Sequence, residues 1–150
     1  MRLTTFSDYA LRSLIFVGVA PGPLVTIGQI AEAYGISRNH LMKVVHQLGR
    51  LGYLETVRGK GGGLRLARLP ADIRVGQVLR ETERDSSLLE CFEPGGHCAI
   101  LPACTLRGAL AEAEEAFFAH MDRYTLADLI RPRCDLAALL RLQVPAIDAA

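Results

Sequence analysis

The 150-residue chain lacks an apolar run long enough to span a bilayer; its longest candidate, Leu14 to Ala20, has Asp8 before it and proline and glycine after it. That segment is expected to be a buried helix face, with no membrane partner. Internal repeats and low-complexity segments are also missing, and the length fits one compact unit. Catalytic patterns are absent too: there is no Ser-His-Asp order, no histidine pair at metalloprotease spacing and no dinucleotide loop. Gly59-Lys60 lacks the upstream glycine and the following Ser or Thr of a phosphate loop. No enzyme is expected. The four cysteines form no close pair, and no secretory leader precedes them, so free thiols in a reducing, cytoplasmic compartment are expected.

Net charge is nearly absent as well, at +1, until the chain is divided at Pro70. Residues 1–70 carry nine Lys or Arg against three acids, and the remainder carries eight against thirteen. The halves are therefore about +6 and about −5, as expected for a polyanion-binding half joined to a non-binding half.

The basic half has helix-turn-helix grammar. Phe6, Ala10, Leu14 and Val17 recur at helical spacing behind Thr4, Thr5 and Ser7, a group of candidate caps, and predict a helix from about Ser7 to Val19, stopped by Pro21-Gly22-Pro23. Thr26 and Gln29 form a capping box for a second helix to Tyr34, Gly35 supplies the turn, and Ser37 caps a third helix, Arg38 to Arg50, that Gly52 ends. Leu41, Val44, Val45 and Leu48 share one face of that helix and turn Asn39, Lys43, His46 and Arg50 outward. Its first residues sit where a recognition helix meets base edges, with Arg able to read guanine and Asn adenine. Tyr53 to Arg58 and Leu64 to Arg68 then read as two strands joined by a glycine-rich loop, a wing with cations at Arg58, Lys60 and Arg65. The candidate DNA contacts are Ser37, Arg38, Asn39, His40, Lys43, Arg58, Lys60, Gly61 and Gly62.

Beyond Pro70, Ile73, Val75, Val78 and Leu79 predict a linking helix, followed by an acidic loop from about Ser86 to Cys104 that contains Cys91, Cys98 and Cys104. Pro94-Gly95-Gly96 and Pro102 disfavour regular structure there, so a ligand held by three soft thiolates is a candidate for fixing its shape. The cysteines are separated by six and five residues, wider than the pairs that serve structural zinc and better suited to a cluster larger than one ion. From Thr105 a stripe of Leu106, Leu110, Ala113, Phe117, Met121 and Tyr124 predicts a long helix whose apolar face is covered either by the chain's own winged domain or by a second copy, the latter also matching two half-sites one DNA turn apart. Thr125 and Asp128 box the start of a terminal helix, and the residues from Val144 onward carry no readable signal.

The segments LTTFSDYALR, YGISRNHLMKVVHQLGRLGYLETVRGKGGGLRL and DRYTLADLI, with the cysteine loop between them, are similar to the winged-helix iron-sulfur repressors. Within that family the chain resembles the nitric-oxide-sensing NsrR type more than the cluster-biogenesis IscR type, because SRNHLMK, RGKGGG and YTLADL are similar to NsrR sequences and Arg107 stands where IscR proteins carry a histidine. The resemblance implies a mostly α fold, a winged helix-turn-helix with a two-stranded wing and a long C-terminal dimerisation helix. It divides the chain into a DNA-binding domain at 1–80, a cluster loop at 81–104, the dimerisation and terminal helices at 105–130, and a tail at 131–150.

It further implies that Cys91, Cys98 and Cys104 bind the cluster, with the partner subunit's Asp8 as fourth ligand. Asp8 also suits an ordinary helix N-terminus, and His97, Glu90 and Glu93 are rival ligands. Cys134 is expected to be a spare thiol. A [4Fe-4S] cluster is favoured and [2Fe-2S] is accommodated. The implied function is a homodimeric repressor that leaves its two-half-site operator when nitric oxide attacks the cluster; a tenfold change in occupancy needs only about 1.4 kcal/mol. The alternatives are IscR-like control of cluster assembly, or a zinc or thiol redox regulator using the same cysteines.

Overall fold

The computed structural model describes residues 3–83, 87–93 and 95–142, and within them the chain forms seven α-helices and one two-stranded sheet. Helix α1 spans Thr5–Val19 and starts earlier than its periodicity suggests, because Thr4 is the cap and accepts the Ser7 N–H. Helix α2, Ile27–Tyr34, opens on the Thr26–Gln29 capping box and ends at Gly35, whose φ of +64° is left-handed. Helix α3, Arg38–Arg50, is capped by Ser37 and buries Leu41, Val44, Val45 and Leu48, the face its sequence marks as apolar.

Strands β1 (Leu54–Val57) and β2 (Gly63–Leu66) pair antiparallel, with Leu54 opposite Leu66 and Glu55 opposite Arg65. Both are shorter than expected, since Tyr53 is already buried beneath the wing and Arg58 has entered its tip. Val25 adds a bridge that the sequence does not reveal: its N–H donates to the Leu64 carbonyl at 2.9 Å and its carbonyl accepts from the Leu64 N–H at 2.7 Å. The wing base is thereby fastened to the connection between α1 and α2.

Helix α4 spans Val75–Thr82, α5 Thr105–Met121, α6 Leu126–Leu129 and α7 Arg133–Leu139. One core gathers Leu14 and Phe16 of α1, Ile30 of α2, Leu41 and Leu48 of α3, Leu54 and Leu64 of the wing, Val78 of α4 and Leu126 of α6. After α5 the chain thus returns to the winged unit. The Val75 N–H donates to the Tyr124 carbonyl and the Leu126 N–H to the Ile73 carbonyl. Residues 133–139, read from the sequence as tail, form α7, which buries Ala137 and sends Arg133 to the Ala20 carbonyl at 3.3 Å. A seven-residue helix has little intrinsic stability, so its tertiary contacts decide it. Val144 to Ala150 lie outside the described residues.

Helix α5 behaves differently, because none of its residues is buried. Leu106 is 59% exposed, and Tyr124 just beyond the helix 42%. Its C-terminal end is fastened to α4: Arg80 pairs with Asp122 and Glu115 and lies over the Phe118 ring at 5.3 Å, while Arg74 reaches the Asp122 carbonyl.

Candidate DNA-binding surface and metal centre

On α3 the exposed residues are Arg38, Asn39, His40, Met42, Lys43, His46, Gly49 and Arg50. Asn39, Lys43 and His46 recur at three- and four-residue steps and form one outward ridge. Two neighbours are less free than the sequence suggests. Arg38 folds back over the first turn of α2, where a Cβ on Gly28 would lie 3.1 Å from its Nη2. That position suits a phosphate beside the start of α2 better than a base edge. His40 leans toward Tyr9 of α1, with ring centroids 6.3 Å apart. The Ser37 hydroxyl accepts the His40 N–H at 3.4 Å, so its first role is the cap.

In the wing tip Gly59 and Gly61 adopt φ of +101° and +78°, which places exposed Lys60 and Gly61 at the apex. Gly62 instead packs its Cα against the Val57 carbonyl, where any Cβ would clash, and so shapes the turn. The wing cations divide by partner. Arg65 is engaged bidentately by Glu55 at 2.9 and 3.0 Å, which holds that carboxyl below its usual range. Arg68 donates to the Gly52 and Leu51 carbonyls and stacks 4.7 Å from the Tyr53 ring centroid, so it braces the wing base. Among the described residues no acid pairs with Lys43, Arg50, Arg58 or Lys60. These cations remain available to phosphates.

The cysteine loop is built from short turns. Cys91 lies in a 3-10 turn at Glu90–Phe92, and a second at Leu101–Ala103 leads to Cys104, the N-cap of α5. Gly96 folds back against the carbonyl of Glu90 and the Cα of Cys91, an approach that a Cβ would block. The chain leading to Cys98 is thereby drawn onto the Cys91 turn. Arg107, one turn into α5, lies 5.7 Å from the Phe92 ring centroid and joins the two ends of the loop. Cys104 and Arg107 line a cavity of about 470 Å³ with Phe92, Leu101, Gly108, Ala111 and Glu114.

All four cysteines are free thiols; Cys98 and Cys134 are exposed, Cys91 and Cys104 half-buried. Among the described residues no three Cys, His, Asp or Glu side chains converge as a metal cage. The three thiols sit on or beside short turns and offer soft sulfur donors of the kind that iron takes; a site not closed beforehand would draw its closure energy from the metal. Asp8 sits in the first turn of α1 and accepts from Arg12 at 2.9 Å, both side chains 43% exposed. An exposed pair at this spacing is worth roughly 0.3–0.5 kcal/mol, so leaving it costs little.

The sequence gives no sign of the joint that connects these parts. Three successive residues at the end of α4 each grip a different partner. Glu81 accepts the Tyr53 hydroxyl beneath the wing, and burial with that carboxylate pushes the Tyr53 phenol far above its usual range. The Thr82 hydroxyl accepts from fully buried Ser7 at 2.7 Å. Glu83 accepts both the backbone N–H and the hydroxyl of Thr4 at 2.8 Å. Ser7 and Thr4 read in the sequence only as caps, because partners more than seventy residues away leave no local signal. Changing Thr82 to valine is expected to cost about 1–3 kcal/mol in denaturant unfolding at unchanged m-value, since the Ser7 hydroxyl loses its acceptor. Adding Ser7→Ala should cost less than its effect alone; strict additivity would count against the joint.

With this geometry in place, comparison with known proteins is specific. The family profile described as "Rrf2: Iron-dependent Transcriptional regulator" matches residues 3–132. The HTH-type transcriptional regulator NsrR of Bacillus subtilis (strain 168) is 50% identical over 145 residues, covering 95% of this chain and 99% of that protein. The protein of the same name from Geobacillus kaustophilus (strain HTA426) is 51% identical, covering 94% and 97%. Among solved structures, CymR of B. subtilis, the global cysteine regulator, superposes with a TM-score of 0.67 at 24% identity, covering 88% of this chain and 98% of its own, and so bears on the fold alone. IscR of T. potens gives 0.63 at 26% identity, covering 88% of each chain. Members of this family regulate transcription and are not enzymes, and no helix among the described residues is long and apolar enough to cross a membrane. The chain belongs to the Rrf2 family of iron-dependent transcriptional regulators.

Proposed function

We propose that this protein is a cytoplasmic, homodimeric repressor of the NsrR type, which binds a two-half-site operator with an iron-sulfur cluster in place and releases it when nitric oxide reaches the iron. The carrying observation is the position of the cysteine loop. It runs from the last turn of α4, which grips both α1 and the wing base, to the N-terminus of α5, the helix with no buried residue. Whatever orders the loop therefore acts on the DNA-reading elements and the pairing helix together. Cys91, Cys98 and Cys104 are the proposed thiolate ligands, and the partner subunit's Asp8 the fourth. A [4Fe-4S] cluster is favoured and a [2Fe-2S] cluster is accommodated by the same ligands, the oxygen donor being the weaker one and so the most readily displaced. When bound, it supplies iron accessible to a small neutral gas.

The residues of the chain do the rest. The exposed face of α5 pairs with its copy and sets the separation of two α3 helices. Asn39 and Lys43 face base edges, while Arg38, Arg58 and Lys60 neutralise phosphates. If Asp8 moves to the partner's cluster, Arg12 is released and α1 is bound at its first turn, next to the Thr4 and Ser7 contacts. Loss of that ligand returns Asp8 to Arg12 and frees α1 to shift against α3. Domain boundaries near residues 80 and 104 follow from this division, though α6 and α7 belong with the winged unit.

The test is iron, acid-labile sulfide and zinc per chain in protein purified without oxygen, followed by operator binding before and after nitric oxide. Equal iron and sulfide with release on nitric oxide supports the proposal. Zinc without sulfide makes the loop a thiol site, and equal binding in both states removes the sensor. Lys60→Ala is expected to weaken binding uniformly across sequences and to lower the slope of log affinity against log salt by about 1. A sequence-selective loss would instead place Lys60 against bases.

A further inference from the structure

Met42 is the only large hydrophobic side chain exposed on α3, at 56%. The inward face of the helix is already filled by Leu41, Val44, Val45 and Leu48, so Met42 is not needed to seal the core. Helical spacing places it one turn after Arg38 and Asn39 and one turn before His46, on the flank of the donor ridge. In a major groove the largest apolar group on any base edge is the thymine C5-methyl, which stands among hydrogen-bond donors and acceptors. An unbranched, polarisable thioether can follow that methyl through small changes of position.

We infer that Met42 is a specificity-determining residue: its thioether packs against the C5-methyl of an operator thymine, beside the base that Asn39 contacts. This rests on the proposed role of α3 as the recognition helix. Asn39 and Met42 together would select an adenine and a thymine at neighbouring positions in each half-site. The Met42 contribution depends on one methyl group and no charge, so it changes with base sequence and not with salt.

The experiment uses full-length, iron-loaded protein prepared without oxygen and an operator enriched by it from a random-sequence duplex pool. Each thymine is then replaced by deoxyuridine, which deletes the C5-methyl and keeps every hydrogen-bonding group. One thymine per half-site is expected at which uracil weakens wild-type binding about fourfold, the effect of one buried methyl-sized group. Met42→Ala should weaken binding to the thymine operator by a similar factor, be indifferent to uracil at that position, and leave the salt slope unchanged. Met42→Leu should retain most of the thymine preference. Because the side chain is exposed, these variants are expected to unfold as the wild type does. If an operator is enriched but uracil costs the same in wild type and Met42→Ala at every position, the Met42 inference alone is overturned. If no sequence is enriched, the recognition role of α3 fails and the inference falls with it.

Discussion

Cys98→Ala protein purified without oxygen is expected to hold less than about a tenth of the wild-type iron and sulfide and to bind operator at least about tenfold more weakly. Its unfolding free energy should stay within about 0.5 kcal/mol of wild type measured without the cluster. The contrast follows from where the sulfur sits. Cys98 is an exposed free thiol, and the contacts of its residue are backbone ones, such as the carbonyl that accepts the Leu101 N–H at 3.0 Å. Removing it takes nothing from the core. Among the described residues no cage is preassembled, so if the three sulfurs are the ligands, losing one removes most of the closure energy. Only about 1.4 kcal/mol of lost preference for the DNA-competent arrangement gives the tenfold change. Cys134→Ala, on the exposed surface of α7, is the control and should leave iron, sulfide and operator binding unchanged. Retention of iron and sulfide by Cys98→Ala, or their loss from Cys134→Ala, would falsify the ligand assignment.

Gly76→Val is expected to be damaging for the opposite reason, with the site chemistry intact and the lever broken. Gly76 is buried in the first turn of α4, and a Cβ there would overlap the Phe118 carbonyl and both the backbone N and the carboxylate of Asp122. Those atoms belong to the end of α5, where Arg80 grips Asp122 and Glu115. Backbone atoms of two helices cannot give way as a flexible side chain can, so valine must drive α5 from α4. Overpacking of this kind costs about 1–3 kcal/mol, and the displaced Arg80 contacts add to it. The expected result is a fall of several degrees in thermal midpoint and at least a tenfold loss of operator affinity, while iron and sulfide still bind. A variant with wild-type melting and wild-type operator binding would show that the separation of the two recognition helices does not depend on this joint.

Much of this architecture is legible locally. The capping boxes at Thr26–Gln29 and Thr125–Asp128 both form, α3 begins and ends where Ser37 and Gly52 predict, and its inward face is the apolar one. The glycine-rich tip makes a wing, although its strands are shorter than their composition suggests. What misleads is any residue type with two uses. Arg65 and Arg68 count as DNA cations in a charge tally, yet one is held by Glu55 and the other braces Tyr53. Ser7 looks like a cap and is a fully buried cross-link to α4. Arg38 starts the recognition helix and folds onto α2.

By itself, the sequence determined the helix-turn-helix and wing, the three-cysteine loop and the apolar stripe on α5. Each depends on spacing, capping or turn chemistry within a dozen or so residues, which a local pattern records. Only the tertiary structure decided that α6 and α7 return to the winged core, that Val25 pins the wing, and that Glu81, Thr82 and Glu83 join the cysteine loop to Tyr53, Ser7 and Thr4. Those contacts pair residues distant along the chain. Their energy comes from desolvating and satisfying both partners at once, and neither partner alone carries a signature of the other.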